Sequence, residues 1–231
     1  MYRMFSIFLD PNFAGAFFVL FFVFLMDGFL KNKSKIIVLL LILTLGAVFL
    51  TFSRSALLML IISSSLLFIF MNKKRFILML IAVAILVLVA SSKYFNIENI
   101  NLFREASSQS RINTAKSALV IIKNNPVFGV GFDSYRYAQL RYGFRVEGKD
   151  SISHSDAGTD NSFLFILATT GIVGLILYLL LWFNILKIAS PLAIASIIGV
   201  FVDSLFINSL FYSFIMLWLW VIIALSPKNK T

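Results

Sequence analysis

Residues 13–50 read FAGAFFVLFFVFLMDGFL-KNKSK-IIVLLLILTLGAVFL, and this stretch decides the class of fold. Two apolar runs are separated by three lysines in five residues. Each run approaches the 17–25 mainly apolar residues that a helix needs to cross the hydrocarbon layer. Neither alternates apolar with polar residues as a half-buried strand would. The same pattern recurs outward from here. Further apolar runs cover about 55–71, 76–91, 162–186, 190–206 and 209–225, which with 13–30 and 36–52 makes seven candidate spans. Asp203 and Asn208 interrupt the last pair, which also fits a re-entrant hairpin. Across all 231 residues, 60% are hydrophobic and 13% charged, with 26 Phe. Soluble domains have roughly 45–50% apolar and about 25% charged residues. The expectation is therefore an all-α, polytopic transmembrane helix bundle.

The charges set its direction. Lys31, Lys33 and Lys35 follow the first run, and Lys73, Lys74 and Arg75 follow the third. Lys187 follows the fifth, and Lys228 with Lys230 follows the seventh. If the helices alternate in direction, all four clusters fall on one side, which the positive-inside rule makes cytoplasmic. The Ser53-Arg54 turn and residues 92–161 then face outward. Domain organisation follows: four helices in 1–91, a large extracytoplasmic loop in 92–161, then three helices and a short tail in 162–231. The loop contains an amphipathic helix from Arg104 to Asn125, with Ile112, Ala115, Leu119 and Ile122 on one face and Arg111, Lys116 and Lys123 on others. Such a helix lies on a membrane surface with its cations toward the lipid headgroups. Pro126 ends it, and Gly129 and Gly131 supply a turn.

With no cysteine, thiolate sites and disulfides are excluded, and one histidine, His154, leaves no multi-histidine metal site. The net charge of +10 is read as topology rather than as a nucleic-acid footprint. Four features carry possible chemistry, each with a plain structural reading beside it. Arg54, after Ser53, either snorkels to the interface or offers its planar fork to a phosphate. Arg111 with the segment Asn125-Pro126-Val127-Phe128-Gly129-Val130-Gly131 is either an interfacial helix with a Pro/Gly turn or an anion site. Its G-x-G lacks the flanking strand of a dinucleotide fold, so a nucleotide site is rejected. In the run from His154 to Ser162, Asp160, Asn161 or Ser162 caps the next helix. The same helix start is also a place for an anion, and His154 suits proton transfer near neutrality. Asp203, in an apolar run, is either a structural carboxylate near a helix end or a functional one.

Taken together and in order, Thr51-Phe52-Ser53-Arg54, Arg111, Pro126-Val127-Phe128-Gly129-Val130-Gly131, Thr159-Asp160-Asn161-Ser162 and Thr170-Gly171-Ile172-Val173-Gly174 resemble the O-antigen ligase/O-antigen polymerase family of bacterial membrane glycosyltransferases. Asp10-Pro11-Asn12 looks like the stretch that precedes the family's T-x-S-R helix. The resemblance runs from about Asp10 to Leu225. It implies the carboxy-terminal half, or an unusually short form, of a longer family member. It also implies an enzyme of the inner membrane acting on its outer face, without metal or cofactor. The donor is a glycan on undecaprenyl diphosphate; the acceptor is another lipid-linked repeat unit, lipid A core or a protein. Ligases similar to this chain place a histidine directly before the asparagine that opens the next helix; here Asp160 stands there. That favours polymerisation over ligation or protein O-glycosylation. The roles implied are Arg54 and Arg111 as diphosphate ligands and His154 or Asp160 as proton acceptor, with Ser53, Asn161 and Asp203 in support. A transporter or flippase of lipid-linked sugars is the alternative from a different class, and it calls for broken helices at mid-depth and internal repeats. No repeat is visible.

Overall fold

The computed structural model describes residues 4, 6–73, 105–144 and 158–225, and these are helical apart from turns and short connections. Eight α-helices occur among them: α1 (Pro11–Lys31), α2 (Lys35–Leu50), α3 (Arg54–Phe70), α4 (Glu105–Asn124), α5 (Tyr135–Arg141), α6 (Ser162–Ile188), α7 (Pro191–Asp203) and α8 (Ser213–Leu225). Of these, α1 and α6 are long and apolar enough to cross a membrane. The runs expected as spans at 36–52, 55–71, 190–206 and 209–225 form shorter helices, α2, α3, α7 and α8. The run at 76–91 lies outside the described residues. The chain divides into two compact units. One comprises Met1–Arg104, Ile188–Asp203 and Ser209–Thr231; the other comprises Glu105–Lys187 and Ser204–Asn208.

In the first unit, α1 begins because three local features agree. Asp10 stands outside the helix and its carboxylate accepts from Asn12 N–H at 2.6 Å, while Pro11 occupies a position where a missing N–H costs nothing. At the far end Lys31 closes on Asp27 at 2.6 Å, one turn back and on the side favoured by the helix dipole. Helix α1 packs on α2 and α3, and α3 packs on α7. Small residues let these backbones approach: a Cβ on Gly15 would lie 2.6 Å from Ala56 Cβ, and one on Gly199 would run into Ser63. Close approach of this kind substitutes for hydrophobic force where the surroundings are themselves apolar. Aromatic rings join α1 to α8: Phe13 stacks on Tyr212 with centroids 4.0 Å apart, and Trp218 meets Phe17, Phe21 and Phe24. The Tyr212 hydroxyl donates to Phe8 C=O at 2.9 Å. Ile36, Leu39, Ile42 and Leu43 on α2 point away from all of this and are more than half exposed. In water such a face is an association surface; in lipid it needs no cover.

In the second unit, α4 appears where the loop helix was expected, but its buried side differs. Ala118 and Ile121 are fully buried, whereas Ile112 and Leu119 are exposed. Of the face picked out by periodicity, Ile112 and Leu119 are thus turned outward, and Ala115 and Ile122 are part-buried. The packed face is carried by Ala118 and Ile121, with Thr114 part-buried on the same side.

Helix α6 is interrupted at Gly171, whose φ of 67° and ψ of −168° lie outside any helix. In an unbroken helix, the N–H groups of Ile172 and Val173 would donate to the carbonyls of Ala168 and Thr169. Instead, both pairs are opened and taken up by the segment following α4. Val130 N–H donates to Ala168 C=O at 3.0 Å and Gly131 N–H to Thr169 C=O at 2.8 Å. In return, Ile172 N–H donates to Pro126 C=O at 2.9 Å and Val173 N–H to Val127 C=O at 3.4 Å. All four groups freed by the break are satisfied, which a buried or lipid-embedded backbone requires. The two glycine motifs of the sequence are thus the two halves of one joint. Gly129 and Gly171 both have positive φ. A Cβ on Gly129 would fall 2.5 Å from Thr169 O, and one on Gly171 2.6 Å from Phe128 N. Below the joint the character of α6 changes. Phe165, Ile166, Ala168 and Thr169 are buried, but Ile172, Ile176, Leu177, Leu180 and Phe183 are exposed.

Candidate functional site

In the first unit, Ser53 organises the turn that carries Arg54. Its hydroxyl donates to Asn12 Oδ1 at 2.9 Å, contacts Ser55 Oγ at 3.2 Å, and accepts from Ala56 N–H at 3.4 Å as the N-cap of α3. Thr51 is fully buried and its hydroxyl donates to Val48 C=O at 2.7 Å. The Thr and Ser of Thr51-Phe52-Ser53-Arg54 therefore build the corner, and they tie the beginning of α3 to the beginning of α1. Arg54 is left as the first residue of α3 and is partly exposed. A cation there opposes the helix dipole by about 0.3–1 kcal/mol. An anion beside it would be attracted by guanidinium and helix end alike. Ser53→Ala is expected to lower stability by about 1–2 kcal/mol, since it removes a cap and leaves Asn12 Oδ1 without that donor. Thermal unfolding of the purified protein in detergent measures it.

In the second unit, Asn161 is the residue that caps α6. Its Oδ1 accepts from Phe163 N–H at 2.9 Å and Leu164 N–H at 3.0 Å, while its Nδ2 donates to Leu205 C=O at 3.0 Å. Ser162 N–H donates to Ser204 C=O at 2.9 Å. The first N–H groups of this helix are thus already engaged. Of the two readings of this helix start, the geometry shows the cap: Asn161 serves as cap and tether.

The same unit brings Asp160 and the helix of Arg111 together. The Thr114 hydroxyl lies 3.0 Å from Asp160 Oδ2 and 3.1 Å from Arg111 C=O. It has one proton for both, and an ionised carboxylate is the stronger acceptor. Arg111 lies three residues before Thr114, on the same side of α4. It is partly exposed, and among the described residues its side chain takes no hydrogen bond or ion pair. The arrangement sets a carboxylate, held by one hydroxyl, against the helix that carries an uncommitted guanidinium. Sequence reasoning had both residues but missed Thr114, since a threonine inside a polar helix carries no local signal.

Tyr135, at the start of α5, is also buried in this unit, and its ring meets Phe165 edge-on at 5.7 Å. Burial pushes its phenol above the usual tyrosine range. The neighbouring Gln139 side chain opposes that shift and the Asp160 carboxylate adds to it, so the hydroxyl keeps its proton near neutrality.

His154 lies outside the described residues. Asp203 ends α7 fully buried, and its Oδ2 accepts a very short hydrogen bond from the Ser209 hydroxyl. This ties the end of α7 to the turn before α8.

Apolar helices with an outward apolar face, two of them long enough to cross a membrane, and a carboxylate beside an arginine-bearing helix define an all-α, largely apolar class of protein. Residues 37–179 match the family model described as O-Antigen ligase, more than half of the chain, and the chain belongs to this family. The match covers α2 to α5 and most of α6, and so includes Arg54, Arg111 and Asp160. Members are membrane-integral enzymes of glycosyltransferase type that carry out O-antigen ligase or polymerase chemistry on lipid-linked glycans. No curated protein matches the chain.

Proposed function

We infer that this protein transfers a glycan from undecaprenyl diphosphate to an acceptor hydroxyl on the outer face of the cytoplasmic membrane, and that the reaction is polymerisation of a surface polysaccharide. The observation that carries this reading is the Thr114 bridge, which holds the Asp160 carboxylate against the helix bearing Arg111 within the family match. In the reaction the acceptor oxygen attacks the anomeric carbon and the bond from that carbon to the diphosphate oxygen breaks. Undecaprenyl diphosphate leaves with the bonding electrons, and the acceptor proton passes to a base. Asp160 is that base, with His154 as the alternative. Arg54 and Arg111 bind the diphosphate, whose negative charge grows as the bond breaks. Fixed positive groups aimed at such a growing charge lower the barrier strongly, because they need no reorientation as the reaction proceeds. The exposed apolar surfaces of α2 and the second half of α6 lie against lipid.

Asp160 directly before the capping asparagine supports polymerisation over ligation. The break in α6 does not argue for transport. Broken helices in transporters leave free backbone groups at the substrate, whereas here the strap of residues 126–131 takes up those opened at Gly171. The test is reconstitution of the purified protein with a defined undecaprenyl-diphosphate glycan and, in separate reactions, a second lipid-linked repeat unit, lipid A core or an acceptor protein. Longer lipid-linked chains are expected with the first acceptor. Product with lipid A core or protein alone would reassign the reaction within the family, and no product with any acceptor would overturn the transfer reading.

A further inference from the structure

The outward face of α4 is neither plainly polar nor plainly apolar. At about 100° per residue, Ile112, Lys116, Leu119, Val120 and Lys123 fall within an arc of about 100°, and all five are exposed. Ala118 and Ile121, both buried, lie on the opposite side. Ala115 and Ile122 of the face expected from periodicity are part-buried beside the arc, so its centre is the line of the two lysines. Beyond the end of the helix, Val127 is 49% and Phe128 75% exposed. Between Ile112 and Phe128 there is no carboxylate. Apolar side chains gathered in this way mark a surface that something covers.

The same unit fixes the level at which this surface sits. The strap of residues 126–131 is hydrogen-bonded to α6 on both sides of Gly171, and the surroundings of α6 change at that point. Before it, Phe165 and Ile166 are buried; after it, Ile176, Leu177 and Phe183 are at least half exposed. From Gly171 to Lys187 the helix rises about 24 Å. The Lys187 stem carries its charge the remaining distance out of a hydrocarbon layer about 30 Å thick. The break then lies at one boundary of the hydrocarbon, and the end of α4 is fastened to it through the strap. We propose that Ile112, Lys116, Leu119, Val120 and Lys123, with Phe128 of the strap, dock on the bilayer at this boundary and select anionic phospholipid. The apolar side chains enter the boundary between headgroups and acyl chains, and the two ammonium groups meet lipid phosphates. With two cations and no carboxylate on the face, negative headgroups are preferred to zwitterionic ones. Nothing in this depends on the transfer reading.

The chain has no cysteine, so single introduced cysteines report on the surface without background. Leu119→Cys and, separately, Phe128→Cys are labelled with bimane in the full-length protein, held in nanodiscs of phosphatidylcholine with a minor share of phosphatidylglycerol. Both positions are exposed, so the labels leave the packing intact. Both labels are expected to be quenched by nitroxide-bearing lipid and shielded from acrylamide in the water. At Leu119→Cys, nitroxide carried on phosphatidylglycerol should quench at about fivefold lower concentration than on phosphatidylcholine, the effect of one lysine at an anionic surface. Lys116→Gln with Lys123→Gln should abolish that preference and leave quenching by lipid in place. Quenching by acrylamide and not by lipid puts the face in water and overturns the docking. Shielding from both quenchers puts protein over it, a second copy included, and overturns it equally. Equal quenching by the two lipids, or a preference that survives the double substitution, overturns the selection of anionic lipid. A protein that shows the expected quenching but transfers no glycan upholds this surface and defeats the transfer reading.

Discussion

Arg111→Ala is expected to reduce glycan transfer by about 10²–10³-fold, the range found when a single preorganised donor to a developing negative charge is removed. The effect should fall on catalysis and not on folding. The Arg111 side chain takes no hydrogen bond or ion pair among the described residues, and the buried side of α4 is carried by Ala118 and Ile121. Thermal unfolding of the variant should therefore stay close to wild type while product formation from the undecaprenyl-diphosphate donor collapses. Arg111→Lys keeps the charge but loses the planar fork that matches two phosphate oxygens at once, so it should recover only part of the rate. If Arg111→Ala instead makes polymer at the wild-type rate, the guanidinium is an interfacial anchor and the proposed diphosphate site loses one of its two cations.

Gly171→Ala should damage the fold more than any other single change considered. Two penalties add at this residue. Its φ of 67° is unfavourable for an L side chain, at about 1–3 kcal/mol. The new Cβ would also be driven against the backbone of Val127 and Phe128, which cannot rotate away as a side chain can. Relief requires the strap to lift from α6, and that breaks the four exchanged hydrogen bonds together. A loss of at least about 3 kcal/mol is expected, visible as a fall in the melting temperature and in the amount of folded protein recovered from membranes. Gly129→Ala attacks the same joint from the other side. The two changes should be less than additive, because whichever comes first opens the contact that the second would strain. A Gly171→Ala protein as stable as wild type would mean that the break in α6 is not held by the strap.

Much of the helical framework is legible in the chain because its causes are local. Long apolar stretches bounded by lysines mark α1 to α3, the Asp10-Pro11 pair announces the start of α1, and Ser53 and Asn161 sit where caps belong. The order of the short motifs is likewise enough to indicate the family that residues 37–179 match. What periodicity handles badly is direction. On α4, Ile112 and Leu119 are the larger apolar residues and so dominate any hydrophobic pattern. Yet they face outward, because in a membrane-type protein an apolar side chain is not obliged to be inside.

The residues in sequence therefore determine that this is an apolar helical protein, roughly where its helices begin, and which arginines and carboxylates are available for chemistry. Only the tertiary structure decides that α6 breaks at Gly171 and is mended by a segment some forty residues earlier. It alone also sets the Thr114 hydroxyl between the Asp160 carboxylate and the Arg111 carbonyl and leaves the Thr159 hydroxyl buried without a partner among the described residues. The reason is the same in each case. Turning a helix on or off is settled among neighbouring residues, whereas satisfying a buried polar group requires a partner whose position in space no local pattern records.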